Sequence, residues 1–216
     1  EWFKELVLKT SDPARDRGFE SHPLRQHFSY IFKRFERIGF VGHNGCGKYT
    51  LMEILADLEQ ADSGVIEWGE TIKIGYFAQE CEVMDERERV IDYIKDAAEY
   101  VRTSEGLVSA SKMLERFLFS SDMQYTPIAK ISGGERRRLY LLKVLMQSPN
   151  VLILDEPTNA LDDNGVELVK NLIQRECDRG ALVVVSCHDE SIITELSDKI
   201  IFLSEGKVVK IKDKDD

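Results

Sequence analysis

The sequence predicts an α/β fold built on a mostly parallel sheet. Three observations carry that prediction. Short apolar runs without alternation, such as Val151 to Leu154 and Ala181 to Val185, read as strands buried on both faces. Apolar positions at helical spacing fall between them, as parallel strands joined by crossover helices require. A glycine-rich segment stands between a strand pattern and a helix pattern.

The elements follow in chain order. Leu6 and Leu8, then Phe28, Tyr30 and Phe32, alternate with more polar neighbours and predict two early strands separated by a stretch rich in Asp, Arg, Pro and Gly. Arg37 to Val41 reads as a third, buried strand ending at a glycine cluster. Beyond Lys48, the residues Leu51, Ile54, Leu55 and Leu58 recur at helical spacing, and Ile72 to Phe77 reads as another strand. From Asp85 to about Met146 the pattern turns helical, with Val90, Ile91, Ile94 and Ala98 on one stretch and Leu107, Met113, Leu114, Phe117 and Leu118 on another. This predicts a helical lobe inserted over about 85–147. Past Gly133 and Gly134, the residues Leu139, Leu142, Val144 and Leu145 continue as a helix apolar on most sides and therefore buried. Val166, Val169, Leu172 and Ile173 form the face of a further helix. Ile200 to Leu203, the turn Ser204-Glu205-Gly206, and Val208 with Val209 read as a hairpin followed by a charged, solvated tail. No internal repeat is found.

Composition sets the outer bounds. At about 150 residues per domain, 216 residues predict one domain over 1–216, and 43% hydrophobic residues suffice for a continuous core. The net charge of −10 argues against nonspecific nucleic-acid binding through a globally basic surface, although a local basic patch stays open. The apolar runs fall far short of the roughly 18 residues of a membrane span, so no direct membrane insertion is expected. Cys46, Cys81, Cys177 and Cys187 have no metal-ligand spacing and read as small buried hydrophobes, reduced in a cytoplasm. The chain begins at Glu1 without Met or the regions of a secretory signal, and is expected to be a fragment, a half-sized relative or an altered sequence.

Gly42-His43-Asn44-Gly45-Cys46-Gly47-Lys48-Tyr49-Thr50 has the strand-before, helix-after context of a phosphate-binding loop. Glycines let backbone N–H groups approach phosphates, the helix start adds a favourable dipole, and Lys48 reaches the terminal phosphates. The strict pattern places Ser or Thr after the lysine, where a small hydroxyl binds Mg²⁺. Here Tyr49 stands, with a phenol too long for that position, while Thr50 more naturally serves the next phosphate along. The bland reading of the segment is a glycine-rich strand-to-helix turn.

Asp155 and Glu156 end a buried strand, where open α/β sheets collect their ligands. Asp155 suits a metal, and Glu156 suits an attacking water in displacement at a γ-phosphate. The bland reading is a pair of acids capping the next helix. Ser132-Gly133-Gly134-Glu135 opens a helix with Ser132 as N-cap and exposes amides fit for an anion, though such turns are common. His188 follows the strand Ala181 to Val185 and is suited either to a γ-phosphate and its water or to a structural role. Gln79, just past another strand, is suited to metal or water but is weak alone. Arg136, Arg137 and Arg138 read as an RNA-phosphate contact, a solvated face or a set of internal ion pairs.

In order, Gly42 to Thr50, Gln79, Ser132 to Glu135, Asp155 with Glu156, Ala160-Leu161-Asp162 and His188 resemble the nucleotide-binding domain of ABC ATPases, over nearly the whole chain. The Ser132 to Glu135 variant and Asp155-Glu156-Pro157-Thr158-Asn159 look like the ABC-F branch. Leu114 to Phe119, followed by the Ser132 motif, looks most like the second ATPase half of Uup-like proteins. The resemblance implies a P-loop NTPase fold of ABC type, with an antiparallel β part beside the parallel core and an inserted helical subdomain. It implies ATP and Mg²⁺ as ligands, with Gln79 and Asp155 at the metal. It also makes Gln79 the Q-loop residue, Ser132 to Glu135 the signature, Ala160 to Asp162 the D-loop, His188 the switch histidine and Phe19 the adenine-stacking aromatic.

In such domains two copies sandwich two ATP molecules head to tail, and hydrolysis releases them. The implied partners are a second ABC domain, as a homodimer or a missing tandem half, and a ribosome or other nucleic-acid assembly. Three departures stand out: Tyr49, Ala160 where this branch often has histidine, and Cys187 where a small hydroxyl residue usually precedes the histidine. Two other readings stay open. One is a nucleotide-gated binding module in which Tyr49 suppresses turnover, and the other is the ATPase subunit of a membrane transporter.

Overall fold

The computed structural model describes residues 6–8, 28–61, 66–103 and 106–214. Strands β1 (Leu6–Leu8) and β2 (Phe28–Tyr30), the two strands that the early alternation predicts, pair antiparallel as a small separate sheet. Phe19 lies outside the described residues.

The main sheet contains β3 (Arg37–Val41), β4 (Ile74–Phe77), β7 (Val151–Asp155), β8 (Leu182–Cys187), β9 (Lys199–Ser204) and β10 (Lys207–Asp213), in the order β10-β9-β3-β8-β7-β4. Strands β9, β3, β8, β7 and β4 run parallel, and β10 turns back antiparallel along β9. The stretch read as a solvated tail thus continues the hairpin, with β10 pairing as far as Asp213. The helices of the parallel part are α1 (Lys48–Leu55) after β3, α6 (Asp163–Asp178) after β7 and α7 (Glu190–Leu196) after β8.

Double burial explains the unalternating strands. In β7, Val151 and Ile153 join the core that includes α1, whereas Leu152 and Leu154 join the core on the other face. In β8, Leu182 and Val184 face one core, and Val183 and Val185 the other. A period of two therefore runs through sequences that look uniformly apolar, because both faces are covered, one by α1 and the other by helices that include α6 and α7.

Between β4 and β7 lie α2 (Val90–Ala97), β5 (Tyr100–Thr103), β6 (Gly106–Ser109), α3 (Ala110–Arg116), α4 (Ser121–Gln124), a 3₁₀ turn at Ile128–Lys130 and α5 (Gly133–Met146). Helix is not the whole content of this stretch, because β5 and β6 form an antiparallel hairpin. Val101 and Val108 pair across it and are buried, while Tyr100 and Leu107 face solvent. Leu107 shares helical spacing with Met113 and Leu114, but the Ser109 side chain accepts from the Lys112 amide and starts α3 only after it. Leu118, at the far end of the same spacing, lies beyond the helix at φ 67°. Helix α5 is buried along most of its length, as predicted.

Candidate functional site

Parallel pairing puts the carboxyl ends of four strands level at one edge of the sheet. Val41 pairs with Cys187, Asp155 with Ser186, and Phe77 with Leu154. The glycine loop, Ala78 with Gln79, Glu156 and His188 continue directly from these ends, so their convergence follows from topology.

The loop is folded around glycine geometry. At Gly42 a Cβ would sit 2.4 Å from the Leu203 carbonyl oxygen and 2.5 Å from the Cys46 sulfur, so a larger residue would push the loop off β9. Gly47, at φ 98°, is the N-cap of α1 and accepts from the Leu51 amide at 3.0 Å. The Cys46 carbonyl accepts from the Gly206 amide at 3.0 Å, which ties the loop to the β9–β10 turn. Cys46 is buried, as its bland reading required, whereas His43, Asn44 and Gly45 are exposed at the rim.

Lys48 is buried, and its ammonium donates to the carbonyls of Gly42 at 2.6 Å and His43 at 3.3 Å. It lies 4.0 Å from one oxygen of Glu156. The other Glu156 oxygen meets His188 Nδ1 at 2.9 Å. Glu156 therefore stands between the loop cation and a half-exposed imidazole, on a backbone held at φ 48°. A non-glycine residue there carries conformational strain, which must be offset by surrounding contacts. The Glu156 amide supplies one, donating to the Ser186 carbonyl at 3.1 Å.

Asp155 is nearly sealed from solvent. One carboxylate oxygen accepts from the Ser186 hydroxyl, but Oδ2 is buried with no hydrogen-bond partner among the described residues. Burial pushes the Asp155 carboxyl above its usual range, against the lowering effect of Ser186, and the neighbouring Glu156 charge adds to the rise. A buried acceptor without a donor is what a divalent cation or its water would satisfy, so this residue fits the metal role.

Tyr49 stands on the first turn of α1 with its side chain half exposed. Its hydroxyl hydrogen-bonds the Glu53 carboxylate one turn along, and that contact leads the effects that push the phenol up to about 12. A phenol so held is neutral near pH 7 and is a poor substitute for a small metal-binding hydroxyl.

Sequence reasoning missed the part played by Arg137. Its guanidinium, buried between α5 and the strand ends, donates to Ala78 O at 2.9 Å, to Gln79 O, to Glu156 O at 3.1 Å and to Asp155 O at 3.4 Å. It also stacks over Phe77 at 4.2 Å. One side chain thus extends the tie between β4 and β7 past their last ladder pair, Phe77 with Leu154, from a third element. Arg138 is likewise buried and reaches Asp162 at 3.4 Å, while Arg136 lies near Glu86 at 3.5 Å. The reading as internal ion pairs fits Arg138 alone, since Arg137 is held by backbone carbonyls and Arg136 pairs with Glu86 at the surface, and Arg137 and Arg138 are too enclosed to meet RNA phosphates. The signal was present: Arg137 shares helical spacing with Leu141, Val144 and Leu145, all buried. Gln79 meets this network through its backbone, and the residue itself is exposed.

The Ser132 to Glu135 turn forms a second cluster. Ser132 accepts from the Glu135 amide at 3.2 Å, and the Glu135 carboxylate accepts from the Ser132 amide at 2.7 Å, a complete capping box. The Glu135 carboxylate is thereby committed to the cap. Ser132, Gly134, Glu135, Arg138, Ala160 and Asp162 line a cavity of about 240 Å³, and none of the phosphate-loop residues reaches it. The candidate residues therefore divide into two groups, one at the strand ends and one where α5 faces the loop before α6.

Comparison with known proteins bears on the family and the fold. A family profile described as ABC transporter matches residues 26–159. The Bacillus subtilis protein described as an uncharacterized ABC transporter ATP-binding protein, YfmR, is 44% identical over 89% of this chain and 30% of its own length. ATP-binding protein Uup of Escherichia coli is 34% identical over 86% of this chain and 29% of its own. The energy-dependent translational throttle protein EttA of Mycobacterium tuberculosis is 34% identical over 81% and 31%. The chain thus spans about a third of the length of these relatives. A solved structure of an ABC transporter ATP-binding subunit superposes with a TM-score of 0.79 over 98% of this chain and 90% of that one, at 19% identity. A dimeric, post-hydrolysis ATP-binding cassette bound to ADP and Pi gives 0.75 over 98% and 99%, also at 19% identity.

Proposed function

The chain belongs to the ABC transporter family, and from that membership we propose that it binds ATP with Mg²⁺ at the strand ends and hydrolyses it between two ABC domains. The observation that carries the reading is the convergence of Lys48, Asp155, Glu156 and His188 at the level ends of β3, β7 and β8, with a buried Asp155 oxygen left unsatisfied.

In this reading the amides of Gly42 to Thr50 surround the phosphates and Lys48 balances their charge. Asp155 and Gln79 would hold Mg²⁺, which supplies charge neutralisation on the phosphate oxygens. Glu156 orients a water for in-line attack on the γ-phosphorus and accepts its proton, while His188 keeps that carboxylate in place. The P–O bond to ADP breaks as the bond to water forms, giving ADP and phosphate. Phe19 stacks on the adenine. Tyr49 lowers turnover by withholding the small hydroxyl next to the metal.

The separate cluster at Ser132 to Glu135 supports the two-domain arrangement, because its free helix start can complete the γ-phosphate site of a second copy or of a tandem half. The name of the relative EttA supports a coupling to translation, and we propose the ribosome as the assembly on which a cytoplasmic protein of this kind acts. Residues 1–216 are proposed as one ABC domain with 85–147 as its inserted subdomain. No helix among the described residues is long and apolar enough to cross a membrane.

Calorimetry with ATP, with and without Mg²⁺, paired with steady-state phosphate release, tests the reading. Heat from ATP binding, release that rises in Tyr49→Ser and release that disappears in Glu156→Gln are expected. No heat from millimolar ATP on folded protein would overturn it.

A further inference from the structure

We propose that Glu156, Cys187 and His188 form a binding site for a transition-metal cation of the Zn²⁺ class, separate in chemistry from the Mg²⁺ that accompanies ATP. One ligand atom from each of the three lies within 4.8 Å of the others. Two come from consecutive residues at the end of β8 and the third from the end of the neighbouring β7, so the paired strands fix their spacing. In a tetrahedral zinc site, bonds of about 2.0–2.3 Å set ligand atoms roughly 3.4–3.6 Å apart, so side-chain shifts of about 1 Å bring the three into coordination.

The donor set selects the cation. A thiolate sulfur and an imidazole nitrogen favour Zn²⁺ or Co²⁺ and give Mg²⁺ no advantage. Carboxylate and thiolate together neutralise a double charge, the thiol proton passing to solvent as the metal binds. Three protein ligands leave the fourth position to water. Glu156 and Cys187 are buried, and the half-exposed His188 ring provides the way in. The Asp189 amide donates to the Cys187 sulfur at 3.4 Å, which steadies it toward the cluster. Lys48 does not occupy this side, since its ammonium is held by the Gly42 and His43 carbonyls and approaches the opposite Glu156 oxygen. The spacing of the cysteines along the sequence gave no hint of such a site, because its other ligand comes from a different strand.

The functional consequence rests on the ATPase reading above: a bound cation takes Glu156 and His188 away from the attacking water and blocks hydrolysis. The test begins with Co²⁺ titrated into the nucleotide-free chain. A thiolate-to-cobalt absorption band saturating at one cobalt per chain, displaced by Zn²⁺ and retained in Cys81→Ala, is expected. In Cys187→Ser the band should vanish, and affinity should fall by more than the roughly 10–100-fold that losing an outer hydrogen-bond partner of a metal ligand costs. No band from folded protein, or a band that survives Cys187→Ser, overturns the site. Phosphate release is then measured with Zn²⁺ added: wild type should be inhibited and Cys187→Ser resistant, and equal inhibition of both would overturn the functional consequence. The cobalt band needs no turnover, so a chain without ATPase activity would count against the reading of function while the band still decides the site.

Discussion

The end of β7 and the start of α5 are both clusters of polar groups, yet they are built in opposite ways. At β7, Asp155 has a buried oxygen without a partner among the described residues, and Glu156 sits at positive φ. At α5, Ser132 and Glu135 satisfy each other through a closed capping box. The first carries unsatisfied charge and backbone strain, which persist only where surrounding structure compensates for them. The second is closed on itself, and its box uses the Ser132 and Glu135 amides but not those of Gly133 and Gly134. The difference teaches that the strand ends leave polar groups for a ligand to satisfy, whereas the helix start satisfies its own cap.

The largest effect should come from the strained side. Glu156→Gln keeps the shape and removes the base, so single-turnover phosphate release should fall by about 10²–10⁴-fold while ATP affinity is kept. Wild-type rates in this variant would erase the distinction between the two clusters. Next comes the side chain that joins them. Arg137→Met removes the guanidinium donor shared by the carbonyls of Ala78, Gln79, Asp155 and Glu156, of which Glu156 keeps the Asn159 amide, and it should destabilise the nucleotide-free chain by about 3 kcal/mol. For a chain of this size that corresponds to a fall in Tm of roughly 6–12 °C by scanning calorimetry. A loss below about 1 kcal/mol would mean that the guanidinium does not tie together the segments leaving β4 and β7.

How much of this was legible in the sequence depended on whether a residue's role was local. Strands β3, β7 and β8 could be read because burial on both faces leaves a continuous apolar run, and the glycine loop because its spacing encodes its own geometry. The cap at Ser132 was visible for the same reason. The β5–β6 hairpin was not, because Leu107 falls at helical distance from Met113 and Leu114 while its actual partner is Arg102, across the turn. Arg137 was obscured because charge advertises solvent, and only its register with buried neighbours on α5 indicated otherwise. The gathering of Glu156, Cys187 and His188 depends on which strands are adjacent, which no single stretch of sequence specifies.

The self-contained cluster should respond more weakly. Ser132→Ala removes one cap acceptor and should cost about 1 kcal/mol, or roughly 2–4 °C in Tm. If a second copy reads this helix start, the same change should abolish the ATP-dependent dimer of Glu156→Gln in size-exclusion chromatography with light scattering. A dimer that forms unaltered would leave Ser132 as a cap only.

The smallest effect should have the opposite sign. Because burial lifts the Asp155 carboxyl above its ordinary value, the native state holds its proton more tightly than the unfolded chain does. The stability linked to this group is therefore fully present below the unfolded value and is lost as pH rises through the raised one. At pH 7 the ionised form is a net cost to the nucleotide-free fold. Asp155→Asn removes the charge and keeps an oxygen for Ser186, so its Tm at pH 7 should exceed that of wild type, with the gap closing as pH is lowered toward 4. Its response to Mg²⁺ in ATP binding should be lost over the same range. A variant that is less stable than wild type at neutral pH would mean that the Asp155 charge is already compensated within the chain, and the contrast between an unsatisfied strand end and a satisfied helix start would no longer hold.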